Sequence, residues 1–169
     1  MAREPGQIEE SWDDPQLQSA IGKFVIQFSQ LEYITRHLLG AMMDLRDPQF
    51  DIITGSFDFA RLCKVTEAYL LSLPDCDEKL AEHAKKTFTK CLKVNDDRVR
   101  IVHGTWLLGP GTTHLSRNGL KMTRHFEKPE EIVAKALEAK ALMSDIVEIL
   151  IGNVDERRQF VFKHANDDK

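Results

Sequence analysis

The sequence has no long apolar run. Nothing in it approaches the roughly 18 consecutive apolar residues of a membrane span, so no membrane partner is expected. Cysteine is scarce: Cys63, Cys76 and Cys91 lie far apart, with no CxxC and no cluster with histidine. That excludes a zinc site and a disulfide framework as expectations, and scattered thiols suit a reducing compartment. The opening MAREPGQIEE lacks the apolar centre of a signal peptide, so a cytoplasmic location is expected. Repeats, low-complexity tracts and linker-like stretches are missing too. The net charge is −4, which excludes a polycation built to coat nucleic acid.

What is present is 169 residues, 42% hydrophobic and 30% charged, enough for one core. The charge is unevenly placed. Arg3 stands against Glu4, Glu9, Glu10, Asp13 and Asp14 at the start. Two later segments are basic. Lys85, Lys86, Lys90, Lys93, Arg98 and Arg100 face only Asp96 and Asp97 over residues 85–100, and Arg117, Lys121, Arg124 and Lys128 face only Glu127 over 114–128. The plain interpretation of both is solvated surface; the sharper one is two basic segments flanking a site.

Residues 1–13 are polar and read as a flexible acidic N-terminus. Asp14-Pro15 is a helix start, with Asp as cap and Pro first. Leu17, Ile21, Phe24, Phe28, Leu31, Leu38, Met42 and Leu45 then recur at helical spacing, predicting a long amphipathic helix that ends near Arg46. Gly22 and Gly40 lower its propensity, which close packing would explain. A short helix is expected over 48–54. A second long one runs from about Ser56 to Leu73, with Phe59, Leu62, Val65, Tyr69 and Leu73 on its core face. A third runs from Asp75 or Asp77 to about Val102, with Leu80, Ala84, Phe88, Cys91, Leu92, Val99 and Val102 inside. Its stripe brings Asn95 and Arg98 towards the core. From Gly104 to Phe126 the pattern changes. Gly109-Pro110-Gly111 and Asn118-Gly119 are turn signals, and together they predict a three-stranded antiparallel meander over about 104–126. The last helix opens at Pro129-Glu130-Glu131 and carries Val133, Leu137, Met143, Ile146, Val147 and Leu150 on its face. The expected fold is mainly α, an up-and-down bundle of four to five helices in one domain over 14–160, with a flexible tail over 161–169. Its broad apolar helix faces suit a homodimer.

The stretch Asn95 to Trp106 carries the chemistry. Cleavage of RNA by its own 2′-hydroxyl needs a proton carrier near neutral pH, which histidine supplies. It also needs positive charge on the phosphate, where the planar fork of arginine matches two oxygens. Arg98 and His103 provide this pair, and neither metal nor cofactor is required. Five residues of helix turn the two side chains about 140° apart, so they do not share a face. The arginine's reach, an unwound last turn, or two chains meeting would unite them. Otherwise His103 is a helix-end cation and Arg98 pairs with a carboxylate.

Arg98-Val-Arg-Ile-Val-His103 resembles the R-x4–6-H signature of HEPN domains, and residues 98–106 are similar to the RNxIVHGxW form of bacterial HEPN-like proteins. Phe28-Ser29-Gln30-Leu31-Glu32 is similar to their first helix. The resemblance implies a dimeric helical bundle and a metal-independent RNase of a toxin–antitoxin, phage-defence or RNA-processing system, with RNA as substrate and a protein antitoxin as partner. It gives Arg98 the phosphate and His103 the proton. Active members often carry Asn, Asp or His after the arginine. This chain has Val99, and Asn95, one turn earlier, is the residue placed to substitute. Thr105 stands where some toxins carry a modifiable tyrosine. Glu32 either pairs with Arg36 at i,i+4 or orients Arg98 or His103 from the first helix. Arg100, Arg117 and Arg124 are candidates to guide an RNA backbone, and Trp106 is expected in the core. The alternative from the same residues is an inactive HEPN-like dimer that serves as a binding module.

Overall fold

The computed structural model describes residues 14–45, 47–106, 112–115 and 122–167. The chain is a mainly α bundle, as its periodicity predicts. Its helices are α1 (Pro15–Met43), α2 (Asp47–Thr54), α3 (Phe59–Leu71), α4 (Glu78–His103) and α5 (Pro129–Asp167). Strands β1 (Thr112–Leu115) and β2 (Met122–His125) pair antiparallel between the last two helices, with Thr112 opposite His125 and Leu115 opposite Met122. No helix among the described residues is long and apolar enough to cross a membrane. The acidic segment 1–13 and the Asn118-Gly119 turn lie outside the described residues. Of the expected tail over 161–169, α5 takes in the part up to Asp167.

The helix starts follow capping chemistry. Asp14 Oδ1 accepts from the backbone N–H of Gln16 (2.9 Å), so the chain turns into α1 at Pro15. Asp58 caps α3 by accepting from the Arg61 N–H at 2.7 Å, and Asp77 caps α4 by accepting from the Leu80 N–H at 2.7 Å.

The chain divides into two compact units. The first joins residues up to Ser29 with Val94–Lys140. Its buried apolar side chains include Phe24, Phe28, Val94, Ile101, Ile132 and Ala136. The second joins Gln30–Lys93 with the chain from Ala141. There Leu31, Leu38, Leu62, Leu70, Phe88 and Ile146 are buried. Buried Thr35 and Thr66 donate their hydroxyls to the carbonyls of Leu31 (2.8 Å) and Leu62 (2.7 Å), so each satisfies itself within its own helix. Arg36 donates to both the carbonyl and the hydroxyl of Thr54, at 2.8 and 2.9 Å, and pins the end of α2 to α1.

Three expected core faces hold in part, with Phe59, Leu62, Ala84, Phe88, Cys91 and Ile146 buried, and are shifted by about one residue elsewhere. On α3 the buried line is Leu62, Cys63, Thr66 and Leu70, while Val65 and Tyr69 are only half-buried. On α4 it passes through Val94, Asp97 and Ile101, which leaves Val102 exposed and Asn95, Arg98 and Val99 half-buried beside it. On α5 it follows Ile132, Ala136, Ala139 and Leu142, and Leu137 is 54% exposed. On α3 and α5 a small or self-satisfied side chain occupies the line that a larger apolar neighbour was expected to hold, and on α4 a carboxylate answered by two cations does. Of the expected meander, β1, β2 and a bridge at Thr105 form among the described residues; Leu107, Leu108 and the Gly109-Pro110-Gly111 turn lie outside them. The Trp106 indole is turned back onto α4.

The two helical glycines differ. A Cβ on Gly40 would lie 3.3 Å from the Phe50 ring, so close packing accounts for that residue. Nothing lies within 4 Å of a Cβ at Gly22, which is exposed in mid-helix. Gly22→Ala therefore removes a backbone-entropy cost and adds no clash. It is expected to stabilise the protein by about 0.5–1 kcal/mol, read as a Tm rise of about 1–4 °C. An unchanged or lower Tm would contradict this account.

The thiols are free, with Cys63 and Cys91 buried and Cys76 half-buried. A hydrogen bond with Cys91, and then burial, push the Cys63 thiol well above its ordinary range. Burial also raises Cys76, with Asp77 adding to it. At pH 8 a colorimetric disulfide reagent is expected to label Cys76 alone, more slowly than free cysteine, and to reach Cys63 and Cys91 only on unfolding. Rapid labelling of all three in the native state would refute the burial argument.

Candidate functional site

The site is the C-terminal end of α4 in the first unit. Gly104 ends the helix, its N–H donating to the Arg100 carbonyl at 3.0 Å. A Cβ there would overlap that carbonyl oxygen and come within 2.9 Å of the Thr112 Cβ on β1. Only glycine fits between the helix end and the strand. Trp106 then returns to the helix. It is half-buried, and its indole N–H donates to the Ile101 carbonyl at 3.0 Å, satisfying one of the acceptors a helix end leaves open. The expected core tryptophan is thus a clasp on the last turn. His103 is the final helical residue and is exposed. It shares the last turn with Arg100, where the helix dipole favours positive charge.

The two arginines of the motif have different partners. Arg100 donates to Asp97 Oδ1 at 3.1 Å, and Lys135 of α5 takes Oδ2 at 2.9 Å. Lys135 also meets Glu138 at 3.0 Å. Asp97 is only 7% exposed, so both oxygens of a nearly buried carboxylate are answered by cations. Burial alone would lower the Lys135 ammonium, but its hydrogen bonds to Asp97 and Glu138 outweigh that and raise it above its ordinary range. Arg98 lies instead over the ring of Phe28, with its guanidinium carbon 5.6 Å from the ring centroid. Among the described residues no ion pair engages it.

The other candidates are dispersed. Glu32 is committed to Arg36 on its own helix, with 3.4 Å between the charged atoms. Asn95 is half-buried on α4, one turn before Arg98, and Arg124 is exposed on β2. Arg124 borders an open cavity of about 570 Å³, whose walls also include Asp97, His125, Glu131 and Lys135. Arg117 lies outside the described residues. The structure therefore keeps Arg98 and His103 on one helix end and ties Arg100 into an ion network. Asp97 and Lys135 are what sequence reasoning missed. A signal for Asp97 was there: it stands three residues after Val94 and four before Ile101, on the apolar line itself. Nothing local marks Lys135 as its partner.

Among the described residues no group of three or more His, Cys, Asp or Glu side chains is placed to hold a metal ion. No family model, curated protein or solved structure matches the chain.

Proposed function

We propose that the chain is a HEPN-like endoribonuclease that cleaves RNA without a metal, through Arg98 and His103. One observation carries this reading. Of the two arginines in the motif, Arg100 is held by Asp97, while Arg98 rests on an aromatic face with no carboxylate partner among the described residues. A guanidinium so placed keeps its charge for a phosphate, five residues before an exposed histidine. In the reaction His103 takes the proton of the ribose 2′-hydroxyl as the 2′-oxygen attacks phosphorus. The bond to the 5′-oxygen breaks, and that oxygen leaves with a proton from water, while the proton on His103 passes to solvent. The products are a 2′,3′-cyclic phosphate and a 5′-hydroxyl. Arg98 steadies the charge gathering on the phosphoryl oxygens. Arg124, exposed on the neighbouring strand, steers the incoming backbone. An RNA substrate implies work in the cytoplasm, and a toxin or defence role implies a protein antitoxin that covers this helix end.

A binding module without catalysis is the second reading. It is favoured by Val99 beside Arg98 and by the exposed apolar Val102 next to His103. Incubation of RNA with the protein and a chelator separates the two, with His103→Ala as the comparison. Cyclic-phosphate ends formed by wild type alone support the nuclease; intact RNA supports the module.

A further inference from the structure

The cavity of about 570 Å³ between the end of β2 and the start of α5 has the size of a small-molecule site. Phe126 shapes one wall. Its φ is 56°, a conformation that residues other than glycine rarely adopt, and its side chain is buried, so the chain turns sharply there from β2 towards α5. Arg124 and Glu127, on either side of that turn, border one space. The other wall is one face of α5, where Glu131, Ala134 and Lys135 follow at helical spacing. Asp97 of α4 completes the lining.

The polar groups of this cavity are either engaged or free. Asp97 and Lys135 answer each other at 2.9 Å, and Lys135 also meets Glu138. That withdraws Lys135 from Glu131, its i,i+4 neighbour on the helix. Glu127, Glu131 and Arg124 are exposed, and no ion pair engages them among the described residues. What stays open is carboxylate acceptors and a guanidinium fork. A bare anion would meet Glu127 and Glu131, and a bare cation would meet Arg124 and Lys135. A matching ligand offers donors along one edge and acceptors along another. Ala134, small and exposed, leaves room for a flat ring against α5.

We propose that this cavity takes a guanine base. Among the RNA bases guanine alone carries two adjacent donors on one edge, N1–H and the 2-amino group, and two adjacent acceptors on another, O6 and N7. Glu131 accepts from the donor edge. Arg124, having steered the strand on approach, donates its fork to O6 and N7. The cavity also adjoins the helix end: Thr112 lies against Gly104 and is paired with His125, which lines the cavity. A base held there belongs to a nucleotide near the bond that His103 acts on. As a subsite for RNA the inference rests on the nuclease reading; as a guanine site it also suits a free guanine nucleotide.

Calorimetric titration of the full chain with nucleotides, and cleavage mapping on a mixed-sequence RNA with chelator, test it and separate the two sources. Guanosine monophosphate is expected to bind with a dissociation constant of about 0.1–1 mM, at least about tenfold tighter than the adenosine, cytidine and uridine monophosphates. Inosine monophosphate lacks the 2-amino group. It is expected to bind wild type at least about fivefold more weakly than guanosine monophosphate, and to match it on Glu131→Gln. Mapped cuts should fall at a fixed place relative to guanine, with the ratio of such cuts to all others lowered at least about fivefold in Glu131→Gln. Selective guanine binding with intact RNA assigns the cavity to the free nucleotide and removes the nuclease reading alone. Equal or absent binding of the four nucleotides overturns the guanine site, whether or not RNA is cut. So does a preference for guanosine over inosine monophosphate that Glu131→Gln retains.

Discussion

His103→Ala is expected to lower RNA cleavage by about 10²- to 10⁴-fold, the usual contribution of a positioned proton carrier. The loss should fall on the rate at saturating RNA, because the histidine acts on the reacting hydroxyl and holds little of the substrate. Arg98→Lys keeps the charge and discards the fork, so it should retain part of the rate and lose affinity for the phosphate geometry. Arg100→Ala is the informative control. Its guanidinium is held by Asp97, so the chemical step should survive even though the ion network is weakened. Gel analysis of end groups, with chelator throughout, reads all three. Cleavage by His103→Ala at the wild-type rate would sink the mechanism, and so would intact RNA after incubation with folded wild type.

Asp97→Ala is expected to cost the fold about 2–3 kcal/mol. Removing one partner of a buried pair generally costs about 3–5 kcal/mol, because the other charge stays behind without an answer. Here the charges left behind belong to Arg100 and Lys135, whose side chains are 38% and 33% exposed and can regain some water. The lower figure follows, seen as a Tm fall of about 4–12 °C for a chain of this length. The pH dependence has a definite sign. Lys135 is raised in the folded state, burial opposing and the hydrogen bonds to Asp97 and Glu138 prevailing. Its contribution is therefore complete below the ordinary lysine value near 10.4 and is lost as pH rises through the folded value above it. Urea midpoints at pH 8 and pH 11 should fall more steeply for wild type than for Asp97→Ala. Equal slopes would show that the Lys135–Asp97 pair contributes nothing to the alkaline limb.

The helices were legible because period and caps agree. Asp14, Asp58 and Asp77 each stand where a hydrophobic stripe begins, and each accepts the backbone N–H that a helix start leaves open. Their inner faces were less legible, for a physical reason. Pattern reading ranks side chains by size and polarity, whereas burial follows fit. Thr66 is buried because its hydroxyl is satisfied by Leu62. Ala136 and Ala139 are buried while Leu137 stands outside. Asp97 is buried because two cations meet it, and one of them arrives from another helix. No local pattern carries that information. The candidate site divides in the same way. Arg98, His103 and Gly104 are visible in the sequence as residues, but the separate commitment of Arg100 is a tertiary fact.

The Trp106 clasp has an optical consequence. The indole sits on the carbonyl two residues before His103, so the arginine-to-histidine interval carries its own fluorophore. The other tryptophan is Trp12, in the acidic N-terminal segment of the sequence. Replacing Trp12 with phenylalanine leaves an emission spectrum that belongs to the last turn of α4. Any event that opens that turn breaks the indole hydrogen bond and shifts the colour of the light.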